Sequence, residues 1–430
     1  MVMVMVMATA TRIRIVVQMP NGKRAQLTKT NIYKLLLILS FGAVLTYTSA
    51  TSALILVART KNYQTALALD RRDPTALAIK ADNLFLSAND RASLKQVMLL
   101  ARASLQSQAL NARALRLLAY SDDALNTSPN SRAYIDMAAR LSRRDLGAQI
   151  WLIEQSVAAD DAVGALRHYD TALRTNSAVR LPLFAQLTAG TELPIIRQAL
   201  APYIRADPPW LGDFLFYAIV NSANPASIVA MAETAGGLPK GEAFRDLEKQ
   251  LLLQLFAKSK FAVAQKYYLS LPVAKPRVLT SLGFEADNMS LRSGALGWQL
   301  VQGASTGANW SGREGDQALA AFANSGERGV VARKWLFLPP GSYRIDLAFG
   351  AANMPDNSTI EWTINCLSEM QPAMIWRSGP LRPLSGSKID GTAKIPQGCA
   401  FQSIEIAMAG GESQNGAELL VQSSQIERYR

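Results

Sequence analysis

The sequence predicts a multidomain fold made of a single transmembrane helix, an α-solenoid of helix-turn-helix repeats and an antiparallel β-sandwich or jelly roll. The stretch from Leu35 to Ala58 has no charged side chain. The next roughly 200 residues place apolar side chains at i, i+3, i+4 and i+7, which is a helical period. From about residue 280 the chain alternates apolar and polar residues between closely spaced turns, as strands do. These changes give five segments: 1–33, a basic disordered cytoplasmic tail; 34–59, the transmembrane helix; 60–271, the repeats; 272–279, a linker; and 280–430, the sandwich.

The uncharged stretch is long enough to cross a bilayer. As a helix it would reach about 36 Å, against a hydrocarbon layer of about 30 Å. The hydroxyl-rich centre, from Thr46 to Ser52, is compatible with lipid because Ser and Thr bond to carbonyls of their own helix. A cleaved signal peptide with small residues near Ala50, or a buried helix of a soluble core, would also give an apolar stretch. A retained anchor is preferred because the apolar run resumes after the small residues.

Half of the formal charge of +12 lies before the apolar stretch, where there is no Asp or Glu. The basic residues there are Arg12, Arg14, Lys23, Arg24, Lys29 and Lys34. Such a segment is typical of the cytoplasmic side of a membrane. The rest of the chain has no basic run of the kind that binds nucleic acid. We therefore expect a single-pass protein of the bacterial inner membrane with its C-terminal body in the periplasm, and no nucleic-acid partner.

A period of 36 residues is visible in the helical part. It relates four sets of three positions, namely Leu69, Leu105 and Leu141; Pro74, Leu110 and Leu146; Ala76, Ala112 and Ala148; and Ile79, Leu115 and Trp151. The segments Asp70–Leu77 and Ala165–Leu173 resemble, respectively, a repeat junction and a second helix of tetratricopeptide repeats. The resemblance covers residues 62–180. It implies stacked helix pairs whose surface binds partner proteins.

Several short strands are predicted after residue 280. They lie at the two sides of the Pro-Pro-Gly turn at 339–341, at 358–366, at 401–407 and at 419–426. The Pro-Gly-x-Tyr turn is similar to turns of extracellular sandwich modules, including carbohydrate-binding modules. Cys366 and Cys399 would close a loop worth about 3–4 kcal/mol if they form a disulfide, which needs an oxidising compartment. Two buried free thiols are the alternative.

The sequence offers no recognisable catalytic, cofactor or metal site. His168 is the single histidine, no Gly-Lys-Ser/Thr phosphate loop is present, and the two cysteines lack zinc spacing. Paired carboxylates of a glycosidase remain open, with candidates Asp287, Glu314, Asp316, Asp346 and Glu361. We therefore expect a protein that is not an enzyme and has no cofactor.

Tryptophan is concentrated in the last domain, which holds five of the seven in the chain. Trp298, Trp335 and Trp362 lie in predicted strands and are expected in the core. Trp310 lies in a Gly/Ser/Asn-rich stretch, so we expect an exposed loop where Trp310, Asn309 and Arg313 contact a glycan.

Three functions follow from these observations. The first is a membrane-anchored scaffold that binds partner proteins in the bacterial cell envelope, in exopolysaccharide assembly or export. The second is a glycan-binding protein that uses the sandwich. The third is a carbohydrate-active enzyme, which needs two of the carboxylates to converge.

Overall fold

The computed structural model describes residues 4–7, 14–18, 24–26, 29–126, 129–284, 296–313, 316–367, 373–412 and 415–429. The chain divides into two compact units, Met1–Ala159 and Asp160–Arg430. The first unit contains the apolar helix and the first helical repeats. The second contains the remaining helices and the whole sandwich.

Three short strands precede the apolar helix. They are β1 (Val4–Met7), β2 (Arg14–Gln18) and β3 (Arg24–Gln26), and they form one antiparallel sheet in that order. The expectation of an unstructured tail is therefore wrong for these residues. Valine and isoleucine are frequent in β1 and β2, and β-branched residues favour strands even in a basic segment.

Helix α1 (Lys29–Lys61) contains the predicted transmembrane segment. Its stretch Leu36–Arg59 is long and apolar enough to cross a membrane. Most apolar side chains of this stretch are exposed, with Leu37 69% and Leu56 61% exposed. Hydroxyls at the centre bond to the helix itself, as Thr46 Oγ1 donates to the Gly42 carbonyl at 2.8 Å. The hydroxyl groups at the centre of the helix are thus hydrogen-bonded within the helix, whose exterior is otherwise apolar.

Six further helices complete the first unit: α2 (Tyr63–Leu69), α3 (Pro74–Leu86), α4 (Arg91–Ser107), α5 (Ala112–Leu125), α6 (Ser131–Leu141) and α7 (Leu146–Ala158). Helices α3 and α4 form one antiparallel pair, α5 and α6 form the next, and α3 also packs on α5. This arrangement confirms the stacked helix pairs expected from the sequence.

In the first unit, α3, α5 and α7, which we call first helices, each begin at a capping side chain. Asp73, Asn111 and Asp145 accept hydrogen bonds from the backbone amides of Ala76, Ala114 and Ala148 at 2.8, 3.2 and 3.0 Å. The three alanines are fully buried. The predicted 36-residue register is therefore wrong in its middle copy, where Ala114 rather than Ala112 is equivalent to Ala76.

Seven helices and a 3-10 turn begin the second unit: α8 (Ala162–Thr175), η1 (Ser177–Val179), α9 (Arg180–Gly190), α10 (Pro194–Ala206), α11 (Leu211–Asn221), α12 (Pro225–Ala235), α13 (Glu242–Ala257) and α14 (Phe261–Ser270). First helices α9, α11 and α13 pack on one another in sequence, and so do second helices α8, α10, α12 and α14. Helix pairing thus continues to Ser270, beyond residue 180 where the resemblance ended.

The sandwich consists of two five-stranded antiparallel sheets. Sheet I has the order β10 (Ala373–Arg377), β9 (Thr359–Cys366), β12 (Gln402–Ala409), β7 (Arg328–Leu336) and β4 (Gln299–Leu300). Sheet II has the order β11 (Lys388–Ile395), β8 (Gly341–Asn353), β13 (Ala417–Tyr429), β6 (Asp316–Ala323) and β5 (Thr306–Arg313). The strands predicted on both sides of the Pro-Pro-Gly turn are β7 and β8.

The core of the sandwich lies between the sheets and includes the expected tryptophans Trp298 and Trp362, whose rings meet edge to face at 6.0 Å. Cys366 at the end of β9 and Cys399 before β12 form the expected disulfide, with Cα atoms 5.6 Å apart. The fully buried Gln402 side chain accepts from the Leu338 amide at 2.8 Å and donates to the Cys399 carbonyl at 2.6 Å. One end of the sandwich is therefore held by covalent and polar contacts together.

The last helix pair packs directly on sheet I. Phe256 of α13 stacks on Trp335 of β7, with ring centroids 4.2 Å apart, and Phe261 of α14 approaches Phe401 at 5.8 Å. Trp335 thus contacts the helices, not the core between the sheets where the sequence analysis placed it. In the connecting segment, η2 (Pro276–Leu279) is anchored by the buried Leu279, so the predicted 272–279 linker is a packed connection.

Candidate functional site

The outer face of sheet II carries a groove. Residues of a strand point alternately to its two faces. Leu319 and Ala321 of β6, and Leu419 and Val421 of β13, enter the core. Their neighbours therefore face outward, including Phe322, which lies opposite both Gly307 of β5 and Glu418 of β13. The groove has a volume of about 530 Å³.

Two glycines let apolar side chains lie flat on this face. A Cβ at Gly307 would come within 3.0 Å of Cε1 of Phe322, and one at Gly350 within 2.9 Å of Cδ2 of Leu420. Both glycines lie in extended strands. They matter here because they lack a side chain, not because they adopt a positive φ angle. The Phe322 ring and the Leu420 side chain consequently cover their neighbouring strands. Together with Ala320 they form a shallow apolar platform.

Polar side chains border the platform. Asn309 of β5, Asn353 of β8 and Glu418 of β13 all line the groove and are exposed. None of the three side chains has a hydrogen-bond or ion-pair partner in the part of the chain that the structure describes. The two amides can donate and accept, and the carboxylate can accept. A ligand on the platform would meet free hydrogen-bonding groups on opposite sides.

The structure separates the three residues that the sequence analysis grouped as glycan contacts. They belong to strand β5, so the expected exposed loop is wrong. Trp310 is half-buried, packs on the core and meets Phe284 edge to face at 5.5 Å. Asn309 points the opposite way and lines the groove. The backbone of Arg313 ends β5, and its side chain lies outside the described residues. Asn309 thus lines a groove and Trp310 packs on the core, and a glycan contact at either residue stays a prediction.

Two of the five candidate catalytic carboxylates can be placed in the structure, and they do not lie in the same sheet. Asp346 lies in β8 of sheet II, and Glu361 lies in β9 of sheet I, where it pairs with Arg377. Asp287, Glu314 and the side chain of Asp316 lie outside the described residues. The two that the structure places therefore belong to different sheets.

A second groove, of about 610 Å³, lies along the first helices of the first unit. It is lined by residues of α3, α5 and α7 and of the turns before them, including Leu110, Arg113 and Arg144. Beneath it, Arg116 of α5 pairs with Asp82 of α3 at 3.0 Å and with Asp145 before α7 at 2.8 Å. These ion pairs link three successive repeats. The groove is therefore polar and continuous over them.

No family model matches the chain, and no curated protein matches it. The solved structures that the chain matches include carbohydrate-binding modules. A CBM4 structure is 13% identical, with 31% of this chain and 86% of that chain covered and a TM-score of 0.24. The CBM22-1 xylan-binding domain from Paenibacillus barcinonensis Xyn10C is 14% identical, with 35% and 93% covered and a TM-score of 0.25.

A bacteriophage tailspike protein 4 enzymatically active domain also matches. It is 10% identical, with 34% of this chain covered and a TM-score of 0.25. The match spans only 22% of that tailspike chain.

Proposed function

We propose that this chain is a membrane-anchored, non-enzymatic glycan-binding protein that holds a polysaccharide on the outer face of sheet II. The observation that carries the proposal is the platform of Phe322 and Leu420 between the unpartnered side chains of Asn309, Asn353 and Glu418. A sugar ring presents apolar C–H faces and hydroxyl edges. Such a ring needs a flat apolar surface and nearby donors and acceptors, which this face supplies.

Affinity-gel retardation of the full-length chain in detergent, over a panel of neutral and acidic polysaccharides, tests the proposal. We expect at least one polysaccharide to retard the wild type. Phe322→Ala and the double change Asn309→Ala/Asn353→Ala should each reduce that retardation about tenfold or more, because they remove the platform or its polar border. Trp310→Phe is the matched control, since its ring faces the core, and it should be retarded like the wild type. Unchanged migration of the wild type on every polysaccharide would contradict the proposal.

The repeats favour a second role, the binding of partner proteins. The groove along α3, α5 and α7 has an accessible apolar side chain, Leu110, beside the cations Arg113 and Arg144. We propose that this surface makes the chain a scaffold in the bacterial cell envelope, with its body in the periplasm and a place in exopolysaccharide assembly or export.

A photo-crosslinking residue at Leu110 tests the second role in living cells. Leu110 is 67% exposed inside the groove, and Leu99 on α4, which is 65% exposed, lies outside it and is the matched control. We expect one discrete crosslinked product from position 110 and none from position 99. Equal products from both positions, or none from either, would contradict the role.

A further inference from the structure

A cavity of about 620 Å³ lies at the end of the helical repeats in the second unit. It lies between the end of α12, the loop after it, one side of α13, and the end of α14 with the segment that follows, and it is open to solvent on one side. Apolar residues dominate its lining: Ala232, Leu238, Pro239, Leu271, Pro272 and Val273. Its size is in the range of small-molecule pockets.

The shape of the cavity depends on the loop after α12. Gly236 and Gly237 have φ angles of +85° and +110°, in the left-handed region that favours glycine. The Gly237 amide donates to the Ala232 carbonyl at 2.8 Å, which closes the C-terminus of α12. The loop residues that follow, 238–241, line the cavity.

One polar group at the inner end has no partner. Tyr267 of α14 lines the cavity and is 4% exposed, and its hydroxyl has no hydrogen-bond partner in the described part of the chain. Burial, and secondly the Glu248 carboxylate, raise the pKa of this phenol, so it stays a neutral donor. A buried hydroxyl without a partner is costly, and such a group points to something that completes it.

The charges around the cavity are unevenly distributed. Glu233 pairs with Lys266 at 3.0 Å. Glu248 is half-buried, and burial raises the pKa of its carboxyl against the opposing effect of Arg245. Lys240 and Arg245 line the exposed side and form no ion pair among the described residues. The open side therefore carries the cations Lys240 and Arg245, with Glu248 as an acidic neighbour of Arg245, and the inner end carries a hydroxyl without a partner in the described part of the chain.

We propose that this cavity binds an amphipathic organic acid, with its acid group between Lys240 and Arg245, its apolar body against the proline- and leucine-lined wall, and a polar atom bonded to the Tyr267 hydroxyl. The site is separate from the groove on sheet II and does not depend on glycan binding.

Equilibrium dialysis of the full-length chain in lipid nanodiscs, with empty nanodiscs as the blank, tests the site. The probes are 6-hydroxy-2-naphthoate, an apolar monoanion with a hydroxyl at its far end, and 6-(hydroxymethyl)-2-naphthol, its neutral counterpart. We expect saturable binding of 6-hydroxy-2-naphthoate. Tyr267→Phe should weaken both probes about 2- to 12-fold, the effect of one lost hydrogen bond. Lys240→Gln/Arg245→Gln should weaken 6-hydroxy-2-naphthoate by about fivefold or more and 6-(hydroxymethyl)-2-naphthol by less than twofold.

A variant that fills the cavity tests the site without the risk that a substitution in the core unfolds the protein. Val273 is 58% exposed, so Val273→Trp can fill the cavity without disturbing a core, and it should abolish binding of both probes. Leu269→Trp, at a 46% exposed position outside the lining, is the matched control and should bind like the wild type. Absence of saturable binding, full binding by Val273→Trp, or unchanged affinity in Tyr267→Phe would each overturn the proposal.

Discussion

Gly147, the second residue of α7, leaves room for the side chain of Arg116, which forms ion pairs with residues of the neighbouring repeats. A Cβ there would lie 2.5 Å from Cδ of Arg116, whose guanidinium is held by Asp82 and Asp145. Arg116 is 8% exposed and cannot move aside without breaking buried ion pairs. The Tyr120 hydroxyl also donates to the Gly147 carbonyl at 2.6 Å, which fixes the backbone at this position.

Gly147→Ala is therefore expected to destabilise α5 and α7 by about 1–3 kcal/mol, the usual range for an overpacked site. Gly212 is the matched control because it is the second residue of α11 and has open space around its Cα. Gly212→Ala should be neutral or stabilising by up to about 1 kcal/mol. Hydrogen exchange of the amides in α5, α7 and α11 measures the local free energies of opening. Equal effects of the two substitutions would contradict the account.

At the level of single residues, the sequence pattern did not show where neighbouring side chains point. Asn309 and Trp310 are adjacent in sequence and were expected to act together, but a strand sends neighbours to opposite faces. The Gly, Ser and Asn residues of β5 have low strand propensity and indicated a loop. Pairing with β6 overrides that preference, and nothing in the local sequence reports the pairing. Phe322 and Leu420 become a platform only because Gly307 and Gly350 lie across from them on other strands.

At the level of elements, the helix pairs were predictable and their exact register was not. The first helices begin at residues 74, 112 and 146, so the first step is four residues longer than the second. A constant period averages the two steps and misplaces the middle copy. The capping residues Asp73, Asn111 and Asp145 carry the true register, because each precedes a helix by one residue.

The junction of α13 and α14 with sheet I was also missed, since Pro272 and Pro276 suggested a free linker. Phe256 is 5% exposed and stacks on Trp335, so Phe256→Ala should cost about 3–5 kcal/mol. It should also let the last helices open before the sandwich does. Phe216→Ala on α11, at a 58% exposed ring, should change stability by less than about 0.5 kcal/mol.

Denaturant unfolding, monitored by hydrogen exchange of the amides in α13, α14 and β7, measures both effects of the Phe256 substitution. If α13, α14 and sheet I of the Phe256→Ala protein opened together, at the same denaturant concentration as in the wild type, the packed junction would be contradicted.

At the level of the whole molecule, α1 determines whether the protein is attached to a membrane. Most of its apolar surface is exposed, and its stretch Leu36–Arg59 meets the length of a membrane span. Composition alone predicted this helix, because a long uncharged run needs no tertiary information. Its orientation depends on the positive residues before it and stays a prediction.

Leu45→Arg near the middle of α1 should cost about 2.5–3.5 kcal/mol of membrane insertion, whereas Leu45→Ile should cost almost nothing. Alkaline carbonate extraction of cell membranes measures the difference. The wild type and Leu45→Ile are expected in the membrane pellet, with part of Leu45→Arg released. A C-terminal alkaline phosphatase fusion should be active if the body is exported. A wild-type chain that is soluble and uncleaved without detergent would contradict the anchor.

The central claim is that a glycan lies on the outer face of sheet II, and a hydrogen-exchange footprint tests it most directly. The full-length chain is labelled with and without a saturating amount of the polysaccharide that retards it. We predict slower exchange in β5, β6 and β13 around Gly307, Phe322 and Leu420, with no change in the α3–α5–α7 groove or in the α12–α14 cavity. Protection confined to the helices, with β5, β6 and β13 unchanged, would contradict the claim.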